Sequence, residues 1–260
     1  MFKARNILLF FTYKYRSNFG LIVEALKNKE KITEEEVDDV LRKTKSKFIT
    51  LVDEEYPESL KKISEPPLVL FYEGDISLLR NNTNHKLSVV GSREASDYGI
   101  KSTKKIISVL EDDYIIISGL AKGIDGASHE AALSNNLKTI AVLADGLKKV
   151  YPPEHLNLYK RIVDNGGLII SEYHDEVSPE KEFFLARNRI IAGLCNFLLV
   201  TEAYERSGAQ RTVTYALNFG KDIGCIPYQI DKKSFCNQLI KDGAYLIESG
   251  KEITKILDRS

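Results

Sequence analysis

The sequence lacks a surplus of either charge: across 260 residues, 37 basic side chains meet 37 acidic ones. That balance excludes a generally basic coat that holds nucleic acid by charge alone. It leaves room for a local basic site, because zero is only a sum. Residues 1–80 already carry 14 of each sign, so neither end is a basic arm or an acidic tail. Cysteine is scarce. Cys195, Cys225 and Cys236 are an odd number with no CxxC pair. A disulfide framework and a cysteine zinc site are disfavoured, and a reducing cytoplasm is the expected compartment. Long hydrophobic runs are missing too. The N-terminal stretch from Ile7 to Phe11 is followed by Lys14 and Arg16, with no small-residue cleavage pattern. It is too short to span a membrane and reads poorly as a signal peptide.

Two nucleotide motifs are also absent. No GxGxxG follows a strand, so the dinucleotide fingerprint is missing, and no GxxxxGK[ST] is present, which disfavours a P-loop ATPase. His129 has no partner at metal-ligand spacing and reads as a structural histidine.

What is present is ordinary for a globular protein, 43% hydrophobic and 28% charged, in a chain long enough for a sizeable core. Residues 1–45 read as a small helical unit: Leu21, Ile22, Ala25 and Leu26 lie one turn apart, and Thr33 to Glu36 resembles a capping box. Residues 46–260 read as a second, α/β unit. It opens with strand candidates Phe48–Val52 and Leu68–Tyr72, and the polar stretch 80–86 reads as a linker. From residue 87 short apolar runs (87–90, 114–117, 139–143, 168–170, 197–200 and 223–226) alternate with helical patterns near 96–111, 124–136, 153–165, 184–194 and 208–219. Continuous apolar strands imply burial on both faces, and β-α alternation implies a mostly parallel sheet between two helical layers. The expected fold is a Rossmann-like, doubly wound, mostly parallel α/β sheet with a small N-terminal helical unit. Ligands of such sheets bind beyond the carboxyl ends of the strands.

The residues after each run therefore carry the most information. Gly91-Ser92-Arg93 follows the first. It suits a backbone turn and an arginine gripping a phosphate, or equally an ordinary βα turn with a surface arginine. Ser118-Gly119-Leu120-Ala121-Lys122-Gly123-Ile124-Asp125 follows the second and suits phosphate cradling, with helix capping as the plainer role of Asp125. Asp145-Gly146 and Tyr151-Pro152-Pro153 mark turns after the third run. Further on, Phe183 and Phe184 precede Arg187-Asn188-Arg189. Arginines for phosphates and an aromatic face for a base suit a nucleic-acid site. Alternatively one Phe is core and one Arg pairs with a carboxylate such as Glu202. Arg206, Ser207 and Gly208 follow the fifth run, and the Ser-Gly pair can open a helix whose amides meet an anion. Each junction alone is weak. Their coincidence on one sheet edge points to a phosphate-bearing ligand.

In this order the segments resemble the DNA-processing protein A family, also called Smf, from Phe48 to about Ala244. The strings are VVGSREASDYG, ISGLAKGIDGASHEAAL, TIAVLADGL with VYPPEH, GGLIISEY, FLARNRIIAGL, VTEAYERSGAQRT and CNQLIKDGA. The resemblance implies an extended Rossmann-like domain in a homodimeric binding protein, not an enzyme, that needs no cofactor or metal. It would bind single-stranded DNA and help load a RecA-type recombinase during DNA uptake and natural transformation. Arg93 of the GSR turn would line the phosphate pocket; Ser118, Gly119 and Gly123 would shape its neighbouring wall, with Gly91, Ser92 and Lys122 beside them as candidate phosphate-binding residues. Phe184 would contact DNA beside Arg187, Asn188 and Arg189, and Ser207 and Gly208 would form a further loop on that edge. The chain departs from the family at SGAQRTVT, where SGSLITAR is usual, and at Ile226-Pro227-Tyr228, where VPG is usual. The N-terminal unit is short for the family, and the 16 residues after Ala244 leave no room for the winged helix of some members. Two other readings stand beside this one. A Rossmann-like nucleotide phosphoribohydrolase would need a PGGxGTxxE loop that EAYERSGAQRTVTYA lacks. A shortened family member could instead serve a mobile element or a defence system.

Overall fold

Apolar runs become strands here because both faces of the sheet are covered. The computed structural model describes residues 3–80, 85–204, 207–229 and 234–259. Three helices open the chain: α1 (Ala4–Lys14), α2 (Phe19–Lys27) and α3 (Glu34–Lys43). The capping box expected at α3 is present. Glu36 N–H donates to Thr33 Oγ1 at 3.3 Å and Thr33 N–H donates to Glu36 Oε2 at 2.8 Å. Then come β1 (Lys47–Thr50), α4 (Glu58–Lys61), β2 (Val69–Gly74) and α5 (Ser77–Arg80). Of the linker expected at 80–86, Arg80 ends α5 and His85 and Lys86 begin the next strand; residues 81–84 lie outside those described.

The alternating part runs β3 (His85–Val90), α6 (Asp97–Ile107), β4 (Tyr114–Ser118), α7 (Ile124–Ser134) and β5 (Lys138–Leu143). A short 3₁₀ turn at Pro153–His155 leads into α8 (Leu156–Asp164), β6 (Leu168–Ser171) and α9 (Lys181–Leu194). The chain continues with β7 (Phe197–Val200), α10 (Gly208–Asn218), β8 (Asp222–Cys225), α11 (Phe235–Lys241), β9 (Tyr245–Leu246) and α12 (Gly250–Leu257).

The strands form one sheet in the order β1-β2-β6-β5-β4-β3-β7-β8-β9. β1 pairs with β2, and β2 with β6, antiparallel; the other pairings are parallel. Side chains alternate between the faces as strand geometry requires. Ile115, Ile117, Leu198 and Val200 pack against Ile190, Ile191 and Val213 on one side, whereas Ile116, Phe197 and Leu199 join Ile107 and Ile124 on the other. The N-terminal helices share a core with the sheet: Leu9, Phe11, Ile22 and Val37 pack with Phe71, Leu143 and Ile169.

This order places the site. From β3 the chain moves toward β4, β5 and β6; from β7 it moves the other way, toward β8 and β9. The two strands lie side by side, with Val90 opposite Val200, so their carboxyl ends flank the point where the winding reverses. That crevice is where doubly wound sheets bind ligands.

Candidate functional site

At that reversal lies a cavity of about 340 Å³. Gly91, Ser92, Arg93 and Glu94 reach it from the end of β3, and Ala121 and Asp125 from the β4–α7 junction. Phe184, Arg187 and Asn188 enter from α9, and Ser207, Gly208 and Thr212 from α10. Eight of the expected residues thus meet in one place. The sequence did not single out Glu94 or Thr212, although both fall inside strings that carry the family resemblance.

The β4–α7 turn is shaped by its glycines. Gly123 has φ +73°, a left-handed conformation that favours glycine, and a Cβ there would strike the Ser92 carbonyl. A Cβ at Gly119 would overlap the Arg187 guanidinium, so the missing side chain is the space in which that cation lies. Gly119, Gly123 and Ser118 therefore act behind the cavity wall. Ser118 is fully buried and its hydroxyl donates to the Val89 carbonyl at 2.7 Å, tying β4 to β3. Lys122 points elsewhere: it is exposed and forms an ion pair with Glu154.

The two arginines of α9 divide. Arg187 is buried below the cavity and donates from Nη1 to the Val142 carbonyl. Burial pushes its pKa down to about 10, while Asp125 acts to keep the charge. Burial in turn raises the Asp125 carboxyl above the usual carboxylate range, against the opposing pull of Arg187 and an Ala121 backbone hydrogen bond. Asp125 is thus a buried carboxyl whose field favours this cation, and α7 starts at Gly123 with no side-chain cap. Arg189 faces the β6 end. Its Nη2 donates to Glu172 Oε1 at 2.5 Å, and Nε and Nη1 donate to the Glu65 and Ala186 carbonyls at 2.8 and 2.9 Å. The carboxylate that pairs with an arginine of this segment is therefore Glu172 and not Glu202. Glu202 instead accepts from Ser96 N–H, from the Ser96 hydroxyl at 2.7 Å and from Tyr204 at 2.5 Å.

Neither phenylalanine is fully core. Phe183 stacks on Tyr173 at 4.2 Å, and Phe184 stands at the cavity between two groups. The exposed Arg93 guanidinium lies over its ring at 4.7 Å, and Tyr151 meets its edge at 5.8 Å. A cation over an aromatic face is attractive in itself, and both surfaces remain suited to a nucleotide, the guanidinium for phosphate and the rings for a base. The sequence marks Tyr151 only as part of a turn; its approach to Phe184 depends on tertiary packing. On the far wall, Ser207 precedes α10 as expected of the Ser-Gly pair, and Asn188 Nδ2 holds the Gly208 carbonyl at 3.2 Å. The helix start faces the cavity and attracts an anion. Arg206 lies outside the described residues.

His129 is a structural histidine. Thr139 Oγ1 spends its proton on the Ile116 carbonyl, so His129 Nδ1 donates to that hydroxyl at 2.7 Å. Burial lowers its pKa to about 3 and keeps the ring neutral. Among the described residues no cluster of His, Cys, Asp or Glu could hold a metal ion, and no helix is long and apolar enough to cross a membrane.

Fold and cavity together define a class: a doubly wound α/β protein with an anion-ready, aromatic-rimmed cavity at the switch point of its sheet. The chain belongs to the DNA recombination-mediator protein A family, whose model matches residues 47–258. It is 43% identical over 223 residues to DNA processing protein DprA of Streptococcus pneumoniae, covering 84% of this chain and 78% of that protein. The X-ray structure of that pneumococcal protein superimposes with a TM-score of 0.79, at 36% identity over 97% of this chain and 93% of that one. A structure of DNA processing protein A from Helicobacter pylori, described for its single-stranded DNA binding mode, superimposes with a TM-score of 0.73. It is 27% identical and covers 82% of this chain and 97% of that one.

Proposed function

We propose that this chain binds single-stranded DNA across the switch-point cavity and acts as a recombination mediator. One observation carries the reading: Arg93, Phe184 and the start of α10 converge on a single cavity in a chain with no net charge. In this reading Arg93 and the α10 amides take a phosphate, while Phe184 and Tyr151 offer a surface for a base. Gly91 and Ser92 let the strand approach the backbone. Arg187, Asn188, Ser118, Gly119 and Gly123 hold the cavity in shape. Lys122 would add charge at the rim once released from Glu154. Arg189, held by Glu172, would serve the fold rather than the strand. The single-stranded DNA binding described for the Helicobacter pylori protein supports this choice of ligand.

The biological role extends the same reading. The protein would work in the cytoplasm as a homodimer, place two cavities on one strand and present it to a RecA-type recombinase during DNA uptake. Joining two modest sites raises avidity without new contacts. A mobility shift with oligo-dT tests the ligand: Arg93→Ala is expected to weaken binding about tenfold or more, the loss of one charge-assisted contact. Unchanged binding removes the cavity from the account. Capture of a RecA-type recombinase by the DNA-bound protein tests the role. DNA binding without such capture would favour service to a mobile element or a defence system. Release of free base from nucleoside monophosphates would favour the hydrolase reading.

A further inference from the structure

A second cluster of cations lies at the opposite edge of the sheet, where the strands begin. Lys86 is the second residue of β3, and Lys221 immediately precedes β8. Together with Arg80 at the end of α5 and Asn196 before β7 they line a cavity of about 230 Å³. The floor includes buried Tyr56 and Cys195.

Lys86 is unusual in being only 7% exposed. Its Nζ donates to the Leu79 carbonyl at 2.7 Å, in the last turn of α5. An ammonium has three protons to donate, and this bond uses one. Burial, and then the like charge of Lys221, pull its pKa down to about 8. Two ammonium groups in one recess, one of them buried, disfavour each other unless an anion lies with them. The carboxylates on the lining do not supply it. Glu58 is exposed and forms an ion pair with Lys61 at 2.6 Å, and Glu54 lies on the exposed rim. Among the described residues no ion pair involves Arg80, Lys86 or Lys221.

We infer that this recess is a second anion site, which binds a phosphate group between Lys86 and Lys221. The space favours a small anion, since it falls below the roughly 300–1,000 Å³ of sites for larger ligands. The phosphate can come from solution or from the end of a DNA strand. This inference does not depend on the cavity beside Arg93, because the two lie at opposite ends of the strands.

Calorimetric titration with inorganic phosphate tests it, using the unaltered chain, Arg93→Ala, and Lys86→Met and Lys221→Met each alone and added to Arg93→Ala. The Met exchanges keep an unbranched side chain one atom shorter, and Lys221 is only half-buried, so Lys221→Met burdens the fold least. Saturable binding is expected in the unaltered chain and in Arg93→Ala. It should weaken about tenfold or more when either Lys exchange is added to Arg93→Ala, the loss of one charge-assisted bond at the second site. Absence of saturable binding in the unaltered chain overturns the inference, as does binding lost in Arg93→Ala and kept in both single Lys variants. Oligo-dT with and without a 5′ phosphate then separates the sources. A preference for the phosphorylated strand that disappears in Lys86→Met assigns a strand end. Equal binding of both strands assigns free phosphate.

Discussion

Arg187 and Arg189 lie two positions apart on α9 and face different partners, which sets what each can do. Arg189 is fully committed to Glu172 and two carbonyls, with both charged groups 5% exposed. Removing one member of such a buried pair leaves the other unpaired, at a cost of ~3–5 kcal/mol. Arg189→Ala should lower the urea midpoint accordingly, and a loss within error of zero would contradict this structural role. Asp145 gives a second prediction at this scale. Burial raises its pKa from 3.8 to about 7, so the folded chain holds a proton that the unfolded chain releases. Its contribution is complete below the unfolded value and is lost as pH rises through about 7. His129 acts in the opposite sense. Its pKa falls from 6.5 to about 3, so its contribution is lost as pH drops through that interval. Where the two windows overlap their slopes oppose each other. Asp145→Asn removes one, so denaturation at several pH values should show stability rising more steeply with pH than in the unaltered chain. Parallel curves would contradict the assignment. The identity of these residues was legible in the sequence, but their commitments were not. FLARNR shows two arginines in a helix; whether each reaches solvent, Val142 or Glu172 depends on strand order.

At the scale of elements, the central strands were legible because burial on both faces makes them continuously apolar, as in the Tyr-Ile-Ile-Ile-Ser of β4. The Thr-Glu box of α3 was legible because capping chemistry is local; the Ser-Gly pair also marked the start of α10, although Ser207 makes no side-chain cap there. The pairing of β1 and β2 onto β6 was not, since antiparallel addition across a long sequence separation leaves no periodic trace. The N-terminal helices show a related effect. Their helical periodicity reads as a separate unit, yet Phe11 is 2% exposed in a core shared with β2, β5 and β6. Phe11→Ala should therefore cost ~3–5 kcal/mol of whole-chain stability and shift one cooperative transition. Two separate transitions, with the later one unmoved, would show that the helices fold apart from the sheet.

For the whole molecule, neutrality gains a geometric meaning. Cations gather at particular edges, Arg93 beside Phe184 at the carboxyl ends of the strands and Lys86 with Lys221 at their amino ends, while the total stays at zero. In the proposed reading the protein grips a strand locally, so its affinity should depend on few phosphates and its salt dependence should be shallow. The most direct test is the affinity for oligo-dT measured against salt concentration, for the unaltered chain and for Arg93→Ala. Each phosphate contact on a single strand contributes about 0.7 to the slope of log affinity against log salt. The account predicts weaker binding for Arg93→Ala and a slope shallower by about that one increment. Equal affinity and an unchanged slope would contradict it and move the DNA away from the switch-point cavity.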